Sequence, residues 1–566
     1  MPNRLTNIIA AGLLIFVFLI TVFSMKDDSL TMDELAHLPA GYSYLTQKDM
    51  RLNPEHPPLI KDLAAIPLLF IPNINFPSDI KAWKDDINGQ WDFGNNFLFH
   101  SGNPAEIMIF WGRIPMILIL VLLGFYIFKA TKEFFGNKAG LLALFLFSFS
   151  PTFLAHGRLV TTDVGAAAGA FIATYYFIKA LQNGSKKSII KAGIVFGLAE
   201  LAKFSLVLLI PLFILLALAW WIIKSGKLIP TLKTLILVFI IGYLTIWPVY
   251  QYHTWSYPAE RQVRDTEFLL SSFESRPLAN SVIWMADKPI LRPYAQYLLG
   301  LSMVLQRATG GNTTYFMGQV SASGWKTYFP IVYFIKEPLA FHILTLVAIL
   351  YALWLKKKPS FLIFSLLSFI VIYWAFSLKS NLNIGVRHLL PTFPFVMILV
   401  GAATAGWLKA PFLKAKYLLL ASLLIWQIVS VVSIFPSFLA YFNEAIGGPD
   451  KGYLYTVDSN MDWGQDLKRL DKWLDQNNID KIYLDYFGGS DAKYYLKEKI
   501  EQWWWGDRDK KELLKGSYLA VSATFLQGGR GNPVPGFTSP TGSYNWLNGY
   551  KPVAKIGYSI FIYKID

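Results

Sequence analysis

Asp33, Glu34 and Glu55 place three carboxylates, and His37 and His56 two imidazoles, in one short stretch near the N-terminus. These groups can exchange protons with a substrate hydroxyl or ligate a divalent metal ion. Asp163 and His253 add further groups of the same kind. Arg113, Arg158, Lys203 and Arg387 lie within or beside apolar runs, where a cation is costly and is usually functional or paired. Each also has a plainer reading. Asp33 and Glu34 suit any helix N-terminus, Thr161 or Thr162 could draw Asp163 into a cap, and Glu200 could pair with Lys203 along one helix face. No zinc-like spacing links the candidate ligands, so a metal ion is an alternative and not a requirement.

The elements that must position these residues are membrane spans. Of 566 residues, 54% are hydrophobic and 16% charged, against about 25% charged in soluble domains. Runs near the ~20 residues that cross a bilayer as a helix recur through the first three quarters. They predict about eleven spans, at 5–23, 107–128, 139–155, 160–180, 188–202, 204–223, 231–250, 338–355, 360–377, 388–408 and 417–436. The first run lacks a small-residue cleavage pattern after it and reads as a retained span. Alternate connections carry Lys129, Lys132 and Lys138; Lys179, Lys186, Lys187 and Lys191; Lys224, Lys227 and Lys233; Lys356, Lys357 and Lys358; and Lys409, Lys414 and Lys416. Positive charge in short loops marks the cytoplasmic side, which puts the N-terminus on the cytoplasmic side of a cytoplasmic (inner) membrane and the C-terminal piece outside it. The net charge of +15 is thereby explained by orientation and does not point to nucleic acid. With no cysteine, disulfides and thiolate metal sites are excluded.

Three larger pieces fall on the outer side: 24–106, 251–337 and 437–566. In the first, Thr31 with Glu34 has the form of a capping box, and Leu35, Leu38 and Tyr42 give the following helix an apolar face fit to lie along the membrane surface. Arg51-Leu52-Asn53-Pro54-Glu55-His56-Pro57-Pro58-Leu59 is a stiff turn before a second apolar helix, Leu59 to Phe70. Trp255, Tyr257, Tyr315, Trp325 and Tyr328 read as an interfacial belt, and Lys336-Glu337-Pro338 as an interfacial anchor. The last piece, with a helix at Asp466–Gln476 and strands at Lys481–Tyr486, Tyr518–Ser522 and Ser559–Tyr563, is long enough for a small extracytoplasmic α/β domain beside a membrane domain at 1–436. In it, Asp458, Asp462 and Asp466 recur every fourth residue. They mark either a loop that stabilises this domain against the bundle or an acceptor-facing surface.

The Asp33-Glu34 pair after the first span and the later His56-Pro57-Pro58-Leu59 resemble the protein O-mannosyltransferase family and its bacterial relatives, including the lipid A aminoarabinose transferases. Phe110-Trp111-Gly112-Arg113-Ile114-Pro115, His156-Gly157-Arg158-Leu159-Val160-Thr161-Thr162-Asp163 and Asn383-Ile384-Gly385-Val386-Arg387-His388-Leu389-Leu390-Pro391 agree with it. The resemblance covers most of 1–400. It implies the GT-C fold, an all-α polytopic bundle with outer amphipathic helices, and transfer of a sugar from a polyprenyl-phosphate donor to a protein, glycan or lipid acceptor. The tail, with Tyr441-Phe442-Asn443-Glu444 and Asp458 to Asp466, is similar to a bacterial subgroup. The chain lacks a counterpart of the carbohydrate-binding domain that eukaryotic members insert in a central loop.

On this reading Asp33 is the base, Glu34 positions it or the acceptor, and Asp163 is a second acidic residue across the cavity. Arg158, Lys203, Arg387 and Arg113 are the contacts for the donor phosphate, and His37, Glu55 and His56 contact substrate or a metal ion. Two other function classes fit the same elements. A transporter or flippase of lipid-linked sugar also carries charge within spans, but inverted repeats and glycine-broken helices are not seen in the sequence. A non-catalytic lipid-sugar-binding protein would have less reason to keep Asp33, Asp163 and Lys203.

Overall fold

The computed structural model describes residues 2–225, 227–356, 358–411, 414–503 and 510–566. Lys357 and the side chain of Lys224, both counted above among the basic loop residues, lie outside the described set. Each expected span is helical. Among the described residues, eight helices are long and apolar enough to cross a membrane: Asn3–Ser24, Ala105–Phe135, Thr162–Asn183, Phe204–Ile223, Leu228–His253, Phe361–Lys379, Val386–Trp407 and Ala415–Val432. The other three are shorter. The run 139–155 is divided into Asn137–Ser148 and Pro151–His156, because Ser150 accepts from the Phe153 N–H and Pro151 opens a new helix. Lys186–Glu200 has 15 residues. Leu339–Leu355 forms a bent pair with Tyr328–Lys336, at 111° across Pro338, which lacks the N–H to continue a helix.

Exposed apolar residues such as Ile15, Phe23, Ile229, Leu244 and Leu353 line the outside of these helices, as spans facing hydrocarbon require. Two helices instead fill the middle. The apolar window is 83% buried in Thr162–Asn183 and 72% in Val386–Trp407, against 33% in most others. These two carry Asp163 and Arg387 at their N-terminal ends, so the most enclosed helices aim charged residues at one end of the bundle.

At that end, the helix Met32–Gln47 differs from a surface-lying helix. Residues 34–41 are buried continuously, because the helix Leu59–Ala65 packs on one side and the C-terminal segment on another. Gly41 permits the first contact: a Cβ there would stand 2.1 Å from the Lys61 carbonyl oxygen. Lys61 itself is buried and donates to Tyr44 Oη at 2.8 Å, to Asn53 O and Oδ1 at 2.9 Å and to His56 O at 2.8 Å, which shapes the turn before the second helix.

The C-terminal segment forms a five-stranded mixed sheet in the order Ile500–Gln502, Ile482–Asp485, Tyr518–Ser522, Ile560–Lys564, Ala554–Ile556. The first two pairings are parallel and the last two antiparallel. Leu467, Leu470 and Leu474, at helical spacing on Leu467–Gln476, pack on Ile482, Leu484 and Ile562. A second sheet joins this segment to the central outer loop: the hairpin Thr314–Phe316 and Gln319–Ser321 takes Asn532–Pro533 as a third strand. Lys336 also departs from expectation. It is buried and donates to Leu439 O at 2.8 Å, Tyr441 O at 2.6 Å and Asn460 O at 2.5 Å. It organises the loop leading into the C-terminal segment and does not sit at an interface. Of the five expected belt aromatics, Tyr257, Tyr315 and Tyr328 are buried and Trp255 is exposed.

Candidate active site

Chain entry into the Asp33 helix is built jointly with the C-terminal segment. Ser29 N–H donates to Gln465 O at 2.9 Å and Met32 N–H to Trp463 O at 3.0 Å. Asp28 pairs with Arg469 at 2.7 Å, and Ser490 Oγ donates to Leu30 O at 3.0 Å. These contacts set the position of the next residue, Asp33.

Asp33 begins a string of alternating charge. Its Oδ2 lies 2.7 Å from Arg387 Nη1, which is 3.2 Å from Asp163 Oδ2; Asp163 Oδ1 is 2.5 Å from Lys203 Nζ. Four residues from four distant stretches thus converge. Arg387 is clamped further: Nε donates to Ser459 Oγ at 3.1 Å, and the guanidinium lies 4.2 Å over the Trp463 ring. The backbone beside it is anchored by Val386 N–H to Asn460 Oδ1 at 2.9 Å. Gly385 makes room, since a Cβ there would meet Ser459 Oγ at 2.2 Å. Asp163 is fully enclosed, whereas the Asp33 side chain is 22% exposed and that of Lys203 13%, so only the two ends of the string are partly exposed. Burial alone would raise the Asp33 carboxyl, but the charge and hydrogen bond of the Arg387 guanidinium outweigh it and hold it below its ordinary value. Asp33 is therefore ionised at neutral pH.

Lys203 and Glu200 do not pair. The helix ends at Glu200, Lys203 is extended, and Glu200 accepts instead from Tyr297 Oη at 2.7 Å.

A second network holds Glu34, Arg113 and Arg158. Glu34 Oε1 and Oε2 accept from Arg113 at 2.8 and 2.6 Å, and from Val160 N–H at 2.9 Å and Thr31 N–H at 2.9 Å. The capping-box glutamate is present, yet it also ties three stretches of chain together and is completely buried. Arg113 donates to Asp28 O at 3.2 Å and Ser29 O at 2.8 Å. Arg158 pairs with Asp28 at 2.9 Å, and burial pushes its guanidinium down to about 10. Asp28 is the hub of this network, and nothing in Lys26-Asp27-Asp28 distinguishes it from any charged residue following a span. Since removing one partner of a buried ion pair costs about 3–5 kcal/mol, Arg113→Met should sharply lower the unfolding midpoint in detergent. A role in donor binding would instead lower donor affinity at unchanged stability.

The candidate metal ligands are dispersed. His37 Nδ1 is 2.9 Å from Val160 O, and its ring meets His56 edge-on at 4.9 Å; burial keeps both imidazoles below their ordinary value and neutral. Glu55 accepts from Asn88 at 3.1 Å and Gln90 at 2.6 Å. His253 lies 2.9 Å from Asp62. Among the described residues no three such groups converge on a point.

The structure adds groups the sequence did not single out. They are His388, next to Arg387 in the turn Val386–Thr392, and Arg307, exposed on the amphipathic helix Arg292–Gly310. Adjacency to Arg387 was the signal for His388; Arg307 carried none.

Residues 107–247, less than half of the chain, match the model of the dolichyl-phosphate-mannose-protein mannosyltransferase family. No curated protein matches the chain. Among solved structures, the oligosaccharyltransferase AglB from Archaeoglobus fulgidus, in complex with an inhibitory peptide and a dolichol-phosphate, aligns at 13% identity with a TM-score of 0.47, over 87% of this chain and 64% of that one. The chain thus spans less than two thirds of that protein's length. ArnT from Cupriavidus metallidurans, bound to undecaprenyl phosphate, aligns at 12% identity with a TM-score of 0.45, over 100% and 98%. Over residues 107–247, the stretch that holds Arg113, Arg158, Asp163 and Lys203, the family match bears out the resemblance drawn from the sequence motifs.

Proposed function

We propose that the protein is a membrane glycosyltransferase that moves a sugar from a polyprenyl-phosphate donor to an acceptor hydroxyl on the outer face. The observation that carries this reading is the Asp33–Arg387–Asp163–Lys203 string, with a partly exposed carboxylate at one end and a partly exposed ammonium at the other. The acceptor oxygen bonds to the anomeric carbon as its proton passes to Asp33. The bond from that carbon to the phosphate oxygen breaks, and its electron pair leaves with the phosphate, where Lys203 and Arg387 meet the charge. The two carboxylates and two cations of the string balance. An arriving phosphate must therefore draw Arg387 or Lys203 from its carboxylate, and a loosened Arg387 makes Asp33 a stronger base at the moment donor is in place. Glu34 positions Asp33 by fixing the helix start, and Arg113 and Arg158 support the same wall.

The sugar is left open among hexose, pentose and amino sugar, and the acceptor among protein, glycan and lipid. Purified protein in lipid, given polyprenyl-phosphate sugars, tests the reading. Transfer that requires Asp33 supports it; movement of the lipid-linked sugar across vesicles without transfer supports the transporter class and overturns it.

The alternating basic loops put this end of the bundle outside. A reporter fused after Lys358 should be cytoplasmic and one after Asp566 external. A cytoplasmic C-terminus would overturn both the orientation and the donor class.

A further inference from the structure

The aspartates spaced every fourth residue separate into two kinds. Asp462 is buried, accepts from Thr524 N–H at 2.7 Å, and is pushed by burial up to about 8. Asp466 is buried against Arg469 and accepts from Ser559 Oγ at 2.6 Å. Both knit the C-terminal segment together. Asp458 does neither. It is half-buried and forms no ion pair among the described residues. It also sits at φ +56°, a left-handed conformation uncommon for a residue with a side chain. Its N–H is held by Thr524 Oγ1 at 3.1 Å, and its Oδ1 accepts from Ser459 N–H at 2.5 Å. The next residue, Ser459, is the one that holds Arg387. Asp458 therefore lies on the C-terminal segment one residue from Ser459, which holds Arg387, while Asn460 and Trp463 secure the backbone and guanidinium of Arg387.

We propose that Asp458 is the acceptor-binding carboxylate of the site, accepting a hydrogen bond from the acceptor beside the hydroxyl that Asp33 deprotonates. This rests on the transferase reading above. The C-terminal segment then contributes specificity directly. The groups that act on Asp458 are Arg387, Asp33 and Arg307. Burial pushes its carboxyl up to about 6, so it is largely ionised at neutral pH and ready to accept.

The backbone conformation supplies the control. Asp458→Asn tolerates the left-handed region and keeps the amide oxygen for Ser459, and Asp458→Gly relieves the backbone altogether. A purely structural role predicts near-normal function for Asn and equal or higher stability with normal function for Gly. The acceptor probe is the envelope component whose mass rises when wild-type protein is present, prepared from cells lacking it. Both variants should unfold at or above the wild-type midpoint and keep donor affinity within about twofold. Their KM for the probe should rise about ten- to a hundredfold, the loss expected for one hydrogen bond to a charged group. If wild type and Asp33→Asn differ in transfer but both Asp458 variants keep the wild-type KM, this inference falls and the transferase reading stands. If wild-type protein modifies no envelope component, both fall.

Discussion

Asp33→Asn should fold, insert and bind a polyprenyl-phosphate donor, yet transfer about 10²–10⁴-fold more slowly, the usual cost of losing a general base. Asn keeps the shape and hydrogen-bonding capacity of Asp but not the charge. Thr31 is the residue flanking the helix, and Asp33 is the second residue inside it. A carboxylate there is worth about 0.3–1 kcal/mol through the helix dipole, so a structural role predicts a small stability loss and nearly normal turnover. Arg387 keeps its contact with Asp163 in the variant, which limits rearrangement. Single-turnover transfer, measured with donor affinity and the unfolding midpoint, separates the cases. Near-normal turnover would remove Asp33 as base and move attention to Asp163 and Asp458, since both oxygens of Glu34 are already engaged by Arg113, Val160 and Thr31.

Loss of Arg387 should strike both stability and donor binding. Arg387→Ala leaves Asp33 without its cation and Asp163 with Lys203 alone. Breaking a buried pair in this way costs about 3–5 kcal/mol, and it also leaves Ser459 and the Trp463 face without their guanidinium. Lys203 sits at the end of the string and contacts one carboxylate, so Lys203→Ala should be milder in stability. A charge-assisted contact to phosphate is worth roughly 1.5–3 kcal/mol, so donor affinity should fall about tenfold to a hundredfold in each variant. Donor titration at matched folded fraction distinguishes binding from folding. Wild-type donor affinity in both variants would show that neither cation meets the phosphate.

The positions of the apolar helices and the residue types of the candidate site were legible in the sequence, because apolar length and the cost of a charge in hydrocarbon are local properties; of the eleven expected spans, eight described helices are long and apolar enough to cross a membrane. Lys203 and Arg387 stood out for that reason, Asp33 and Asp163 through the acidic motifs that carry them, and the capping pair Thr31 and Glu34 through their spacing. Secondary structure in the tail was legible too: the strand Tyr518–Ser522 falls where its pattern placed it. Partner choice was not legible. Lys203 had an i−3 glutamate available along the chain, but the helix ends at Glu200 and turns the ammonium to Asp163, 40 residues away. Arg113 and Arg158 read as phosphate contacts from their place within or near the ends of spans and from the motifs that hold them, and only packing reveals Glu34 and Asp28 as their counter-charges. Asp458, Asp462 and Asp466 are equivalent by spacing, yet a left-handed backbone at the first and burial of the other two give them different surroundings. Sequence thus determined which charges enter the apolar environment. Tertiary structure decided which of them are neutralised within the wall and which remain partly exposed, because that depends on distances between segments hundreds of residues apart.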